Sequence, residues 1–531
     1  MQVNPLKRWS TVFGVLLAVE LGSLVRLLPV ALHEYPLNDG GMFYRMTQDL
    51  VSNGLRLPVM TSYNGGGIPF AYPPLGFYLA ACLHLATEAS LLEITRWLPA
   101  LISIMTILPF FILAQRLLGR TDLATIAAIV FALIPRSHTW MVMGGGLARS
   151  PGMLFSMLSI LQAARLLERP TWKRASILGL LLALVTLSHL EMAWYTYITL
   201  LVLWIFRGKT RITFGGFALA SAIAAALSGF WWLPVAMNHG IGPFVEAALT
   251  GNHTWTSGLA ILSNFSDEPS LGVFVVLGFL GALLCVAKGD FLLPVWMFSM
   301  FFLDPRAAAT DATAPLAMLV ALAVTHVVIP PLVQSARPSD ATQVQLPSPG
   351  SSMTVISGRT RNIVVSGLVA YGLYSALLAP FLAWSSIVAL RPGEVDAMHW
   401  IDNNVAASSD FLVISGRSRW GSDPLSEWFP ALTHAVSLAT PQGKEWTGGL
   451  WDAEKRYLAL QVCSARGLPC VEEWVEQGMT RVDYVLVAAY PDSSAIQSAA
   501  LLDELGASPE YEMVYANPEA TVFSYRPANS R

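Results

Sequence analysis

The chain has 531 residues, 54% of them hydrophobic and only 13% charged, where a soluble protein carries about 25% charged residues. That deficit excludes an ordinary soluble globular chain and points to an integral membrane protein. A formal net charge of −3 gives no basic surface for a nucleic-acid partner.

The first apolar run, 11–31, follows Lys7 and Arg8 as a secretory leader would. It is unbroken, and no small-x-small cleavage site precedes the polar loop, so it reads as a retained helix. A crossing helix needs roughly 20 apolar residues, somewhat fewer where the bilayer adapts. The runs that qualify are 10–31, 97–115, 121–137, 151–167, 175–189, 192–206, 212–236, 271–287, 290–303, 313–330 and 363–389. A further apolar stretch, "AYPPLGFYLAACLHLA" (71–86), opens on two prolines, which suit the first turn of a helix and not its interior. Charge decides whether it crosses. If it does not, Lys7–Arg8, "RLLGR" (116–120), "ERPTWKR" (168–174), "RGKTR" (207–211) and the linker 331–362 all face the cytoplasm, as basic loops prefer. The expectation is about 11 spans, N-terminus inside, with 32–96, 138–150, 237–270 and everything after about 390 outside.

The linker 331–362 is rich in Pro and Ser and reads as disordered. Beyond it, 410–415, 483–490, 512–517 and 520–527 read as strands, "NPE" (517–519) as a hairpin turn, and 471–479 and 493–506 as helices. The fold class is therefore a polytopic α-helical membrane protein (1–390) with a small C-terminal α/β domain (391–531) on the outer face. Cys463 and Cys470 are the cysteines of that domain, and an oxidising compartment would permit a disulfide between them. Its Trp400, Trp420, Trp428 and Trp446 could stack on sugar rings, or pack beneath the domain and against headgroups. The sequons at Asn252 and Asn264 fall in an outer loop and read as chance matches.

Ionisable residues at a membrane boundary are costly and mark function by default. The first outer loop gathers His33, Glu34, Asp39, Arg45, Asp49 and Arg56, with Asp39 inside "LNDGGMFYRM" (37–46). Ordinary solvation would account for such a loop; the turn glycines, aromatic pairs and proline-capped helix that follow favour a built site. This ordered series, with "YPPL" (72–75) and "RWLPALISIMTILPFFILAQRLLG" (96–119), resembles the GT-C superfamily of polytopic glycosyltransferases over the first 200 residues or so. That superfamily includes oligosaccharyltransferases, protein O-mannosyltransferases and lipid A aminoarabinose transferases. The resemblance implies transfer of a sugar from a polyprenyl-phosphate carrier at the outer face, with Asp39 as the base toward the acceptor. A carboxylate suits that task because it can take a proton from an incoming hydroxyl or amide. Glu34 is the competing acid, but it lacks the following "GGMFYR".

The lipid-phosphate leaving group needs cations or hydrogen-bond donors. Arg149 after "MGGGLA", Arg306 in "FFLDPRAAAT" and the pair His189 and Glu191 in "LSHLEMAW" lie at expected outer ends. Tyr44, Arg45 and Tyr72 complete the set, the first two as supports of Asp39. Asp304 and Arg306 could instead pair to ease a span end, and His189 with Glu191 could be a plain helix turn. The second outer loop has no carboxylate where oligosaccharyltransferases carry an acidic metal motif, and Tyr72 stands where aminoarabinose transferases have Lys. The "WWDYG" motif is absent too, so no metal or other cofactor is assigned; a divalent ion wants several oxygen ligands. The expected partners are a polyprenyl-phosphate-linked sugar, an acceptor glycan, lipid or protein, and membrane lipids, at the cell membrane. The alternatives are a non-catalytic relative assisting surface-polysaccharide assembly, or a transporter. Acids gathered at one face, not at mid-depth in broken helices, weigh against transport.

Overall fold

The computed structural model describes residues 5–251, 254–262, 265–269, 271–330, 352–378, 388–479, 481–489 and 498–526. Helix α1 (Pro5–Ala31) rises roughly 40 Å at 1.5 Å per residue, more than the hydrocarbon core requires. After it come α2 (Gly41–Ser52), α3 (Leu75–Thr87), α4 (Leu91–Met105), α5 (Ile107–Leu118), α6 (Thr121–Leu133), α7 (Thr139–Val142) and α8 (Gly146–Glu168). Then follow α9 (Trp172–Ser188), α10 (Leu190–Arg207) and α11 (Arg211–His239). Apolar helices Val273–Ala287, Leu292–Leu303, Thr313–Ala323 and Ser352–Leu378 complete this part. Each expected span thus contains helix over its described part; of 363–389, residues 379–387 lie outside the described residues. By length and apolarity alone, Thr11–Ala31, Leu91–Leu118 and Arg211–His239 suffice to cross among the described residues, and Thr121–Leu133 with Pro135–Val142 adds a fourth through an 83° bend.

The breaks have local causes. The 97–115 run is interrupted at Thr106, where Pro109 lacks the N–H that would bond back to residue 105. The 121–137 run stops at Leu133, because Ile134 precedes Pro135 and takes extended backbone angles. Helix α3 begins directly after Pro74 and rises only ~20 Å, short of a ~30 Å hydrocarbon core. The linker expected over 331–362 is helical from Ser352; its 331–351 part lies outside the described residues.

Arg26 is fully buried in the helical bundle. Its Nε donates to Ser103 Oγ at 2.9 Å and its Nη1 to the carbonyls of Gly22 (3.1 Å) and Ala132 (2.9 Å), which ties α1 to α4 and α6. A buried charge is tolerable only when hydrogen-bonded in this way.

In the first loop β1 (Met60–Thr61) pairs antiparallel with β2 (Ile68–Pro69); in the C-terminal part, β3 (Asp410–Ile414), β4 (Val436–Ser437), β5 (Tyr484–Ala488), β6 (Tyr511–Ala516) and β7 (Ala520–Tyr525) form one sheet in the order β4-β3-β5-β7-β6. The β3 pairings are parallel; those of β7 with β5 and β6 are antiparallel. Strands occupy all four expected segments. The "NPE" turn is closed by Asn517 Oδ1, which accepts from the amides of Glu519 and Ala520, both at 2.8 Å. Helix Leu468–Gly478 covers the expected 471–479; of 493–506, the described part falls in helix Ala499–Ala507, while 493–497 lie outside the described residues. Cys463 and Cys470 are disulfide-bonded, with Cα atoms 5.3 Å apart. The sequon residues Asn252 and Asn264 lie outside the described residues.

The first loop and the C-terminal sheet share one core. Met42, Phe43, Leu50 and Phe77 pack in a single buried cluster with Met398, Phe411, Trp428 and Val522. Each such side chain removed from water contributes roughly 1.5–3 kcal/mol, so α2 is held from both sides.

Candidate functional site

The site begins where two loops cross. Past α1 the chain runs beside residues 143–145, with a parallel bridge between Leu37 and Met143 and a 3.0 Å bond from Gly144 N to Leu37 O. Two glycines make this approach possible. Gly40 has φ +114, and a Cβ on Gly144 would lie 1.8 Å from the Asp39 carbonyl oxygen. At the crossing, Asp39 Oδ1 accepts from Gly145 N at 2.7 Å and Oδ2 from Arg149 Nη2 at 2.9 Å. Both side chains keep an open edge, 18% exposed for Asp39 and 20% for Arg149. Each carboxylate oxygen therefore retains a lone pair for a further donor.

Arg149 lies in the first turn of α8, its guanidinium 5.2 Å from the centre of the Trp140 ring and Nη1 bonded to the Trp140 carbonyl at 3.3 Å. Burial alone would lower its pKa, but Asp39 and Tyr72 outweigh that and hold it charged. Glu34, the competing acid, is exposed.

Tyr72 stands behind this pair, between the rings of Phe43 (4.5 Å), Trp446 (5.4 Å) and His189 (6.1 Å). Burial raises its hydroxyl pKa, so the phenol stays neutral; the charges acting on it belong to Arg149, Glu191, Arg306 and Glu445. His189 links α9 to α10 and is buried, with Nδ1 unpartnered. Glu191 pairs with Arg306 Nε at 3.3 Å, and Arg306 Nη1 also bonds the Thr250 carbonyl at 3.0 Å and hydroxyl at 2.6 Å. Arg306 thus takes Glu191 as its ion-pair partner, whereas Asp304, the partner weighed from sequence, is buried. Asp39 with Arg149, and Glu191 with Arg306, form two ion pairs that both act on Tyr72.

Tyr44 and Arg45 face the other way. The Tyr44 ring lies 5.7 Å from that of Trp428, and Arg45 Nη2 donates to the Thr433 carbonyl at 3.2 Å. They dock α2 onto the C-terminal sheet and its helices, which suits support better than phosphate binding. Trp446 and Glu445 enter the site from the C-terminal part, and Glu427 meets the Asp39 loop; sequence reasoning singled out neither acid.

A hard cation fits poorly beside Asp39, whose two oxygens are engaged by N–H donors and whose charged neighbour is an arginine. Among the described residues no group of three or more His, Cys, Asp or Glu is arranged to hold a metal ion.

A family described as a 6-pyruvoyl-tetrahydropterin synthase related domain, membrane protein, matches residues 71–326, just under half the chain. No curated protein matches the sequence. Solved structures share the fold at 14% identity. An oligosaccharyltransferase of Archaeoglobus fulgidus, tethered to an acceptor peptide containing the NVT sequon, aligns over 91% of this chain and 69% of its own with a TM-score of 0.55. ArnT of Cupriavidus metallidurans, bound to undecaprenyl phosphate, aligns over 96% and 97% with a TM-score of 0.55. The arabinofuranosyltransferase AftD from Mycobacteria aligns over 98% of this chain with a TM-score of 0.54, but this chain spans only 40% of AftD. All three are GT-C glycosyltransferases. The chain shares the fold of these glycosyltransferases, and the family model that matches its middle describes a membrane protein.

Proposed function

We propose that this protein is a membrane glycosyltransferase that moves a sugar from a polyprenyl-phosphate donor to a glycan, lipid or protein acceptor. The observation that carries the reading is the Asp39–Arg149 pair, part-exposed at a glycine-built crossing of two loops. In an inverting displacement the acceptor oxygen or nitrogen attacks the anomeric carbon while the bond from that carbon to the phosphate oxygen breaks. The acceptor proton passes to Asp39, and the electron pair of the broken bond leaves with the polyprenyl phosphate. Arg149 is bonded to Asp39 through one nitrogen and can turn its remaining donors to the phosphate, with Arg306 as second cation and Tyr72 as a neutral donor. His189 is the further buried donor near Tyr72.

The proposed topology has about 11 crossings, N-terminus in the cytoplasm, and a 391–531 domain outside the cell membrane. Disulfides persist in oxidising compartments, and the unit containing Cys463–Cys470 packs directly on the Asp39 loop, which supports an outer-side position for both. The deciding experiment is mass spectrometry of surface glycans and lipid-linked sugars in cells with the protein, without it, and with Asp39→Asn. The expected result is one lipid-linked sugar that accumulates, and one glycan that shortens, in both the deletion and the variant. Full transfer by a well-expressed Asp39→Asn protein would remove Asp39 as the base.

A further inference from the structure

We propose that Glu427 is a positioning residue for the transfer, fixing the Asp39 loop from the C-terminal part of the chain; this rests on the reading of Asp39 as the base. Helix α2 starts two residues after Asp39, and its first amides have no partner within the helix. Gly40, at its N-cap, offers no side-chain cap. Glu427, on helix Pro424–Leu432 and 387 residues away in sequence, supplies one: Oε1 accepts from Gly40 N at 2.8 Å and from Met42 N at 3.5 Å. Its Oε2 accepts from Gln442 Nε2 at 3.2 Å, which fixes the carboxylate in turn. The backbone of Glu427 is engaged as well. Its carbonyl accepts the Tyr63 hydroxyl at 2.7 Å, and a Cβ on Gly41 would come within 2.7 Å of it.

The neighbouring contacts leave the loop little freedom. Asn38 Nδ2 donates to the Gly421 carbonyl at 2.9 Å and Asn38 N to the Val388 carbonyl at 2.7 Å. Asp39 is therefore flanked on both sides by residues whose backbone or side chain is bonded to the C-terminal part. Its carboxylate, in contrast, bonds only to the second loop and α8. Glu427 is the titratable group in this grip, 6% exposed and aimed at the amide that follows Asp39.

The test uses the full chain in nanodiscs, a panel of synthetic undecaprenyl-phosphate pentoses and hexoses as donors, and native membrane lipid extract as acceptor. Glu427→Ala is expected to lower kcat about 10- to 100-fold, the scale of a small misplacement of a reacting group, while KM for the donor stays within about twofold. Glu427→Gln keeps an oxygen toward the two amides and should restore kcat to within about threefold of the parent, as cap-preserving changes do. Hydrogen exchange at residues 40–44 should rise in the alanine variant and not in the glutamine one. If Glu427→Ala does not fold, Glu427→Asp, one methylene short of both amides, takes its place with the same expectation. An unchanged kcat in Glu427→Ala, or equal losses in the Ala and Gln variants, overturns the proposal. Asp39→Asn is run beside them. An inactive Asp39→Asn with a normal Glu427→Ala removes only the positioning role, whereas a fully active Asp39→Asn removes the base and this proposal together.

Discussion

Asp39 and Arg149 stand 110 residues apart and meet over 2.9 Å. Arg149 serves Asp39, the Trp140 carbonyl and the Trp140 ring at once, a geometry that depends on the planar guanidinium fork. Arg149→Ala should lower turnover by about 100-fold or more, through loss of the pair and of the phosphate contact together. Arg149→Lys should retain an intermediate rate, because charge survives but the fork does not; initial rates with lipid-linked donor check both. Glu427 carries a separate pH signature. Burial first, and then the charge of Asp39, raise its pKa to about 8. A raised carboxyl pKa contributes stability that is present below its unfolded value and lost as pH rises through the folded one. The Glu427→Gln variant, neutral throughout, should therefore gain on the parent in thermal midpoint as pH goes from 5 to 9. A difference that stays flat would mean the side chain remains ionised. Asp39 was legible from the loop composition, and Arg149 from the glycines before it. Glu427 was not: in "SDPLSEWFPAL" it reads as an acid in its own helix's first turn, and nothing local says that it caps another helix 387 residues away.

Among the elements, each apolar run falls on helix over its described part, because a bundle in lipid must satisfy its backbone within each helix. What the runs do not carry is where a helix stops being straight. The interruptions at Thr106 and Leu133 trace to Pro109 and Pro135, each inside or beside an apolar run that hydropathy treats as continuous. The two-residue strand β4 escaped for a simpler reason: Val436–Ser437 is too short to show alternation. Contacts between the spans are set by residues that composition also hides. A Cβ on Gly22 would lie 2.3 Å from Ile107 Cδ1, and α1 sits that close to its neighbours because the small residue faces them. Arg26 fills the same seam. Arg26→Ala would leave the Ser103 hydroxyl and the Ala132 carbonyl without this donor and open a cavity, at a cost of about 3–5 kcal/mol. Thermal unfolding of the detergent-solubilised protein should show it as a lowered midpoint, with the α1–α4–α6 region first to lose protection in hydrogen exchange.

For the whole molecule, the decisive relation is that the C-terminal part and the first loop share a core, with Trp428 buried against the rings of Tyr35 and Tyr44. Sequence set 391–531 apart as a small α/β domain, because the composition changes so sharply after the last apolar run; a core assembled from residues 42–81, 147–148 and 390–522 has no local signature. This joint core also ties the sidedness of the C-terminal part to that of the first loop. The basic loops prefer the cytoplasm, the disulfide needs an oxidising compartment, and the disulfide-bearing unit cannot lie on the opposite side from the loop it packs against. Single cysteines read this out. In a Cys82→Ala, Cys285→Ala background, Met479→Cys, at a side chain 94% exposed, should react with a membrane-impermeant maleimide on intact cells. Trp172→Cys, 77% exposed in the basic loop between α8 and α9, should react only after permeabilisation. The reverse pattern would turn the whole molecule over and carry Asp39 to the cytoplasmic face. Labelling of both sites on intact cells would mean that an odd number of the expected crossings between Trp172 and Met479 is wrong, with the short helix Leu292–Leu303 the first to re-examine, since it rises less than ~20 Å.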